Sequence, residues 1–255
     1  MKIQFASDLH LEMAENTRWI QSHPLEIVGD ILVLAGDTAY LEESVPEWFL
    51  NWASDSYQQT LLVPGNHEFY HNGDVIKRGS SWQWMLRSNV GYYYNEIVRW
   101  DNVDIILSTL WSHIPDVDMF QVQRGMNDFY QILYNGNRFT PFDFNAEFEY
   151  CKQFIVKSVA ESKADHIVVV SHHVPTIQAV APQYKGSLLS SAFAVEMGNF
   201  IADSRIDYWI YGHSHTNIDA EINTTKIVSN QLGYVAHNEQ YNGFDGGRCI
   251  EIKNR

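Results

Sequence analysis

Short apolar runs rich in β-branched residues recur along the chain, at Ile3–Ala6, Ile31–Ala35, Thr60–Val63, Val103–Ser108, Ile167–Ser171, Tyr208–Tyr211, Lys226–Ser229 and Cys249–Ile252. Their length and composition suit buried strands. Helical patterns lie between some of them. From Asn145 to Glu161, the residues Phe148, Cys151, Ile155 and Val159 fall three and four apart and share one face. Ser190 or Ser191 is positioned to cap a second helix, with Ala194, Val195, Met197, Phe200 and Ile201 on its apolar side. Alternating strands and helices predict a layered α/β sheet architecture.

At 255 residues, the chain is the size of one α/β domain, and no repeat or linker divides it, so 1–255 reads as one unit. The stretch at about 72–144 is less regular. Apart from Val103–Ser108 it reads as an aromatic-rich elaboration, its rings serving either simply as core and cover or, in part, as the wall of a substrate cleft, the former being the preferred reading for any single ring. The net charge of -14 and the absence of a basic run predict no long nucleic-acid partner. Two distant cysteines, Cys151 and Cys249, give neither a disulfide framework nor a cysteine-based zinc motif. No signal-like or membrane-spanning apolar run is visible, so a cytoplasmic protein without a membrane partner is the expectation. The oligomeric state is not legible.

The chemistry lies directly after the strands. Asp8-Leu9-His10 follows the first run, Gly36-Asp37 the second and Gly65-Asn66-His67-Glu68 the third. His172-His173 and Gly212-His213-Ser214-His215 follow two later ones. Ligands of open α/β sheets bind beyond the carboxyl ends of the strands, so these clusters converge. Carboxylates, imidazoles and one amide suit divalent Mn, Fe or Zn. With extended backbone, Asp8 and His10, and likewise His213 and His215, would point to one side. Asp8, His10, Asp37, Asn66, His172, His213 and His215 are too many donors for one ion with open positions, but suit two ions bridged by Asp37.

The blocks Asp-x-His, Gly-Asp, Gly-Asn-His-Glu, a strand-end His and Gly-His-x-His resemble the calcineurin-like metallophosphoesterase superfamily, in this order from Asp8 to His215. The resemblance implies a four-layer α-β-β-α sandwich with two central mixed sheets and a dinuclear centre. Carried over by position, Asp8, His10, Asp37 and His215 hold one metal, and Asp37, Asn66, His172 and His213 the other. His67 is then no ligand; it donates to a phosphate oxygen and serves the leaving group, with Asn66 beside it in the substrate-binding loop. Pro175 lies three residues after His172 and two after His173, which leaves the ligand choice open. His172 follows the strand directly and is preferred, with His173 lining the substrate side. Glu68 is either a partner of the ligands or a cap on the next segment.

Thr109-Leu110-Trp111, Asn127-Asp128-Phe129, Arg138-Phe139-Thr140-Pro141, Ser229-Asn230 and Gly233-Tyr234 also resemble a bacterial branch of that superfamily. Arg138 is a cation able to receive a phosphate at the mouth, or to pair with Asp128 or Asp143; Lys185 has the same two readings. The implied activity is hydrolysis of a small phosphate mono- or diester by a metal-bridging hydroxide. The alternative is a metal-poor pseudoenzyme serving as an interaction scaffold, which intact ligand positions disfavour.

Overall fold

The computed structural model describes residues 1–41 and 45–253. The chain runs β1 (Lys2–Ala6), α1 (Ala14–Ser22), β2 (Ile31–Ala35), α2 (Glu47–Ser56), β3 (Gln59–Val63), β4 (Trp82–Arg87), β5 (Val90–Tyr94), β6 (Glu96–Trp100), β7 (Val103–Ser108) and α3 (Met119–Gly125). It continues through α4 (Asp128–Gln131), β8 (Leu133–Tyr134), β9 (Asn137–Arg138), α5 (Pro141–Glu161), β10 (His166–Ser171), α6 (Gly198–Asp203), β11 (Tyr208–Tyr211), β12 (Ala220–Ile222), β13 (Thr225–Ser229) and β14 (Cys249–Glu251).

Two six-stranded mixed sheets form the centre, in the orders β14-β1-β2-β3-β5-β4 and β12-β13-β11-β10-β7-β6. Each has four parallel strands inside and an antiparallel strand at either edge. Side chains alternate across a strand, so each sheet has two apolar faces to bury. Ile31, Val33 and Ala35 join Ile3, Val168 and Ile210 in the core between the sheets. Leu32 and Leu34 point the other way, into a core shared with Phe49 and Leu50 of α2. On the second sheet, Val169 and Trp209 lie in the same cluster as Cys151 and Ile155 of α5. This is the expected sandwich of helix, sheet, sheet and helix.

All the expected strands are present. Between 72 and 144, however, β4, β5 and β6 are further strands of the central sheets, not an elaboration on them. Their composition hid them: Trp84, Tyr92, Tyr93 and Tyr94 replace β-branched residues, Gly91 interrupts the run, and β4 and β6 are only half-buried. Helix α5 begins four residues before the expected start, because Thr140 and Asp143 form a capping box with Pro141 in the first turn. The helix expected from Ser190 or Ser191 is broken. A short 3-10 turn covers Ser190–Ala192, and only Gly198–Asp203 is α-helical. Between them the chain is held extended by Val174, whose N–H donates to Phe193 O (3.1 Å) and whose carbonyl accepts from Val195 N (3.0 Å). Tertiary pairing overrides the helical spacing there.

Candidate metal centre

The parallel strands β1, β2, β3, β10 and β11 deliver their polar clusters to one region. The backbone there is not extended. Asp8, His10, Asp37, His213 and His215 all have positive φ, between 46° and 73°. The extended i, i+2 geometry expected for Asp8/His10 and His213/His215 is therefore corrected: left-handed turns, not strand continuation, aim these side chains. Such turns are costly for non-glycine residues, roughly 1–2 kcal/mol each. Backbone bonds hold them: Asp8 N–H donates to Gly36 O (2.9 Å) and His10 N–H to Asp37 O (2.9 Å).

The expected donors then meet. Oxygen and nitrogen atoms of Asp8, His10, Asp37 and His215 lie within 4.8 Å of one another, as do those of Asp37, His172 and His213. Asp37 belongs to both groups. His172 Nε2 stands 3.4 Å from Asp37 Oδ1, 3.0 Å from Asn66 Oδ1 and 3.1 Å from His213 Nδ1. His10 Nε2 stands 3.2 Å from His215 Nε2 and 3.7 Å from Asp37 Oδ2. Asn66 turns its amide oxygen inward because its nitrogen donates to Asp128 Oδ1 at 3.0 Å. Carboxylate and amide oxygens and imidazole nitrogens converge here, a donor set that suits a cation.

The opposite ring nitrogens are anchored from outside. His10 Nδ1 pairs with Glu12 Oε1 (2.9 Å), His215 Nδ1 with Glu239 Oε2 (2.6 Å) and His172 Nδ1 with Ala35 O (2.9 Å). Such partners direct the other nitrogen toward a metal. Buried His213 Nε2 has no partner among the described residues, whereas its Nδ1 faces the cluster. The glycines provide clearance: a Cβ at Gly36 would strike the His172 ring, and one at Gly65 would strike the Asp37 carboxylate. Gly36 also has a φ of 92°. The residues thus fit divalent cations.

The carboxylates and imidazoles of the cluster also shift one another's titration. Burial pushes the Asp37 carboxyl up, but His172, His67 and His10 outweigh it and hold it well below the usual carboxylate range. Burial pulls His172 and His215 down, yet neighbouring carboxylates raise them to about 9 and about 10. Burial, with His173 and His172 beside it, holds His213 well below the ordinary imidazole value.

His67 lies at the edge of this centre. Its Nδ1 meets Glu12 Oε1 at 3.3 Å, its Nε2 meets the Tyr234 hydroxyl at 3.2 Å, and its ring stacks on Tyr70 with centroids 4.1 Å apart. Burial lowers its pKa, but Asp37 and Glu12 raise it above the ordinary value overall. Glu68 is a positioning residue and not a cap. Its carboxylate accepts from the backbone N–H groups of Asp37 (2.9 Å), Thr38 (2.8 Å) and Gly65 (2.7 Å), which ties the β2 and β3 loops together. Burial and nearby Asp37 raise it to about 8. Glu68→Ala orphans these donors, an expected loss of about 3 kcal/mol. At this chain length that corresponds to a fall of roughly 6–12 °C in melting temperature by circular dichroism. An unchanged melting temperature would refute the tie.

Residues 1–217 match the family model for calcineurin-like phosphoesterases. The chain belongs to the calcineurin-like phosphoesterase family. A curated relative, "Uncharacterized protein L509" of Acanthamoeba polyphaga mimivirus, is 25% identical over 267 residues, covering 95% of this chain and 94% of its own. The crystal structure of the phosphopantetheinyl hydrolase PptH of Mycobacterium tuberculosis has the same fold, with a TM-score of 0.72 at 15% identity over 98% of this chain and 95% of that one.

Within this phosphoesterase two assignments need correction. His173 does not line the substrate side. It is fully buried behind the donor cluster, its ring 4.2 Å from that of His213 and 5.3 Å from that of Trp111, with its backbone N–H donating to Thr109 O. The left-handed turn at Leu110 and Trp111 brings that indole in. Arg138 is exposed on β9 and donates to Asn72 Oδ1 at 3.1 Å, outside the cleft lining. Lys185 is likewise exposed and outside that lining. Glu12, Tyr70, Asp128, Tyr234 and Glu239 were not assigned from the sequence. Asp128 and Tyr234 lay inside quoted blocks, and Glu12 sits two residues from His10. Glu239 lies beyond the family match and carries no local signal.

Proposed function

We propose that this protein hydrolyses small phosphate mono- or diesters with the help of two divalent cations. The observation that supports this reading is the pair of donor clusters sharing Asp37 at the floor of a cleft of about 420 Å³. Asp8, His10, Asp37 and His215 would hold one ion, and Asp37, Asn66, His172 and His213 the other. Mn, Fe or Zn suits the mixed oxygen and nitrogen donors. Bound there, such ions supply positive charge to phosphoryl oxygens and acidify water near neutral pH.

The chain's own residues do the rest. Glu12 orients His67 from behind, leaving Nε2 toward the cleft, where Tyr234 now meets it. A substrate oxygen taking that position would receive the Nε2 proton. As the incoming oxygen bonds phosphorus and the ester P–O bond breaks, His67 protonates the departing alkoxide. Asn66 and Tyr70, tied through Asp128, keep the loop bearing His67 in place.

The scaffold alternative has no observation in its favour, since every proposed ligand is present and directed inward. The test supplies Mn(II), Fe(II) or Zn(II) separately to chelator-treated protein and follows aryl phosphate mono- and diesters. At least one metal is expected to raise turnover about a hundredfold or more over the stripped protein. Undiminished turnover after stripping, or none with any metal, would contradict the proposal.

A further inference from the structure

The cleft lining is of two kinds. Asp37, Asn66, His67, His213 and His215 are among its polar residues. Met126, Val174, Val180, Leu189 and Phe193 supply an apolar wall. This apolar wall is built, not incidental. Val174 and Phe193 are fixed by their backbone pairing, and the Phe193 ring stacks on His213 with centroids 4.6 Å apart. The end of α3 abuts the same wall: a Cβ on Gly125 would meet Leu189 Cδ2 at 2.9 Å. Tyr184, half-exposed, also lines the cleft.

No lining side chain among the described residues is Lys or Arg. The cations nearest in sequence are not among the lining residues. Arg124 lies over the Phe120 ring at 5.4 Å, Arg138 holds Asn72, and Lys185 is in solvent. Besides Asp37, two further carboxylates, Asp128 and Glu239, line the cleft. A second phosphate placed beyond the reacting one would be desolvated against aliphatic side chains with no fixed positive partner. An uncharged hydrocarbon segment would instead gain about fourfold in binding for each methylene fully buried.

We infer that this cleft selects phosphoesters whose alcohol part is uncharged and apolar next to the phosphorus, and rejects those carrying a second phosphate. The inference rests on the phosphoesterase reading above and names its substrate class.

The test uses the metal-loaded full chain and three probes: methyl phosphate, hexyl phosphate and hexane-1,6-diol bisphosphate. Each is also presented as its 4-nitrophenyl diester. The expected result is a kcat/KM at least about tenfold higher for hexyl than for methyl, with the bisphosphate at least about tenfold below hexyl. Val180→Ser and Leu189→Ser should flatten the methyl-to-hexyl rise, and Leu189→Lys should narrow the gap to the bisphosphate. Hydrolysis with equal kcat/KM for all three probes would overturn the inference and leave the phosphoesterase reading standing. No hydrolysis of any probe with any metal would overturn both.

Discussion

Replacing Asp37 with Asn is expected to lower turnover of aryl phosphates by on the order of a thousandfold or more and to release bound metal. The side chain keeps its size, and its Oδ1 can still accept the His67 N–H that now reaches it at 2.9 Å. Only the charge shared by the two donor groups is lost. Asn66→Ala removes a neutral donor from one group and should cost less metal. Elemental analysis of both variants after reconstitution checks the order; equal retention would remove Asp37 from its bridging place.

The second large effect concerns proton delivery. His67→Ala is expected to leave metal content near that of the unaltered protein, because His67 is not among the seven proposed ligands. Turnover should fall by roughly a hundred- to ten-thousandfold for alkyl esters, whose alkoxides need a proton to leave. Esters of acidic phenols should lose much less. Rates for 4-nitrophenyl and alkyl esters falling by the same factor would refute the role in leaving-group protonation. Glu12→Gln should give a weaker version of the same pattern, since the carboxylate that meets both His10 and His67 is made neutral.

The layered fold was legible because strands buried on both faces must be apolar throughout, as Ile31–Ala35 and Ile167–Ser171 are. The edge region was not. Half-buried β4 and β6 relax that demand, and aromatic rings fill β5. The converging donors were legible for a chemical reason: carboxylates and imidazoles placed directly after apolar strands have few structural uses. The left-handed turns that aim Asp8, His10, His213 and His215 left no mark, since none of these residues is glycine. The supporting carboxylates Glu12, Asp128 and Glu239 act through distance in space, not spacing in sequence, and ordinary acidic residues look the same. Arg138 and His173 show the converse error. A cation in an acidic chain, or a histidine beside a ligand, looks functional until a neighbour such as Asn72 or Trp111 accounts for it.

The most direct measurement is anomalous diffraction from crystals of the protein grown with Mn(II). The account predicts one peak enclosed by Asp8, His10, Asp37 and His215, and a second enclosed by Asp37, Asn66, His172 and His213. Fully loaded crystals with no peak among these residues would contradict it.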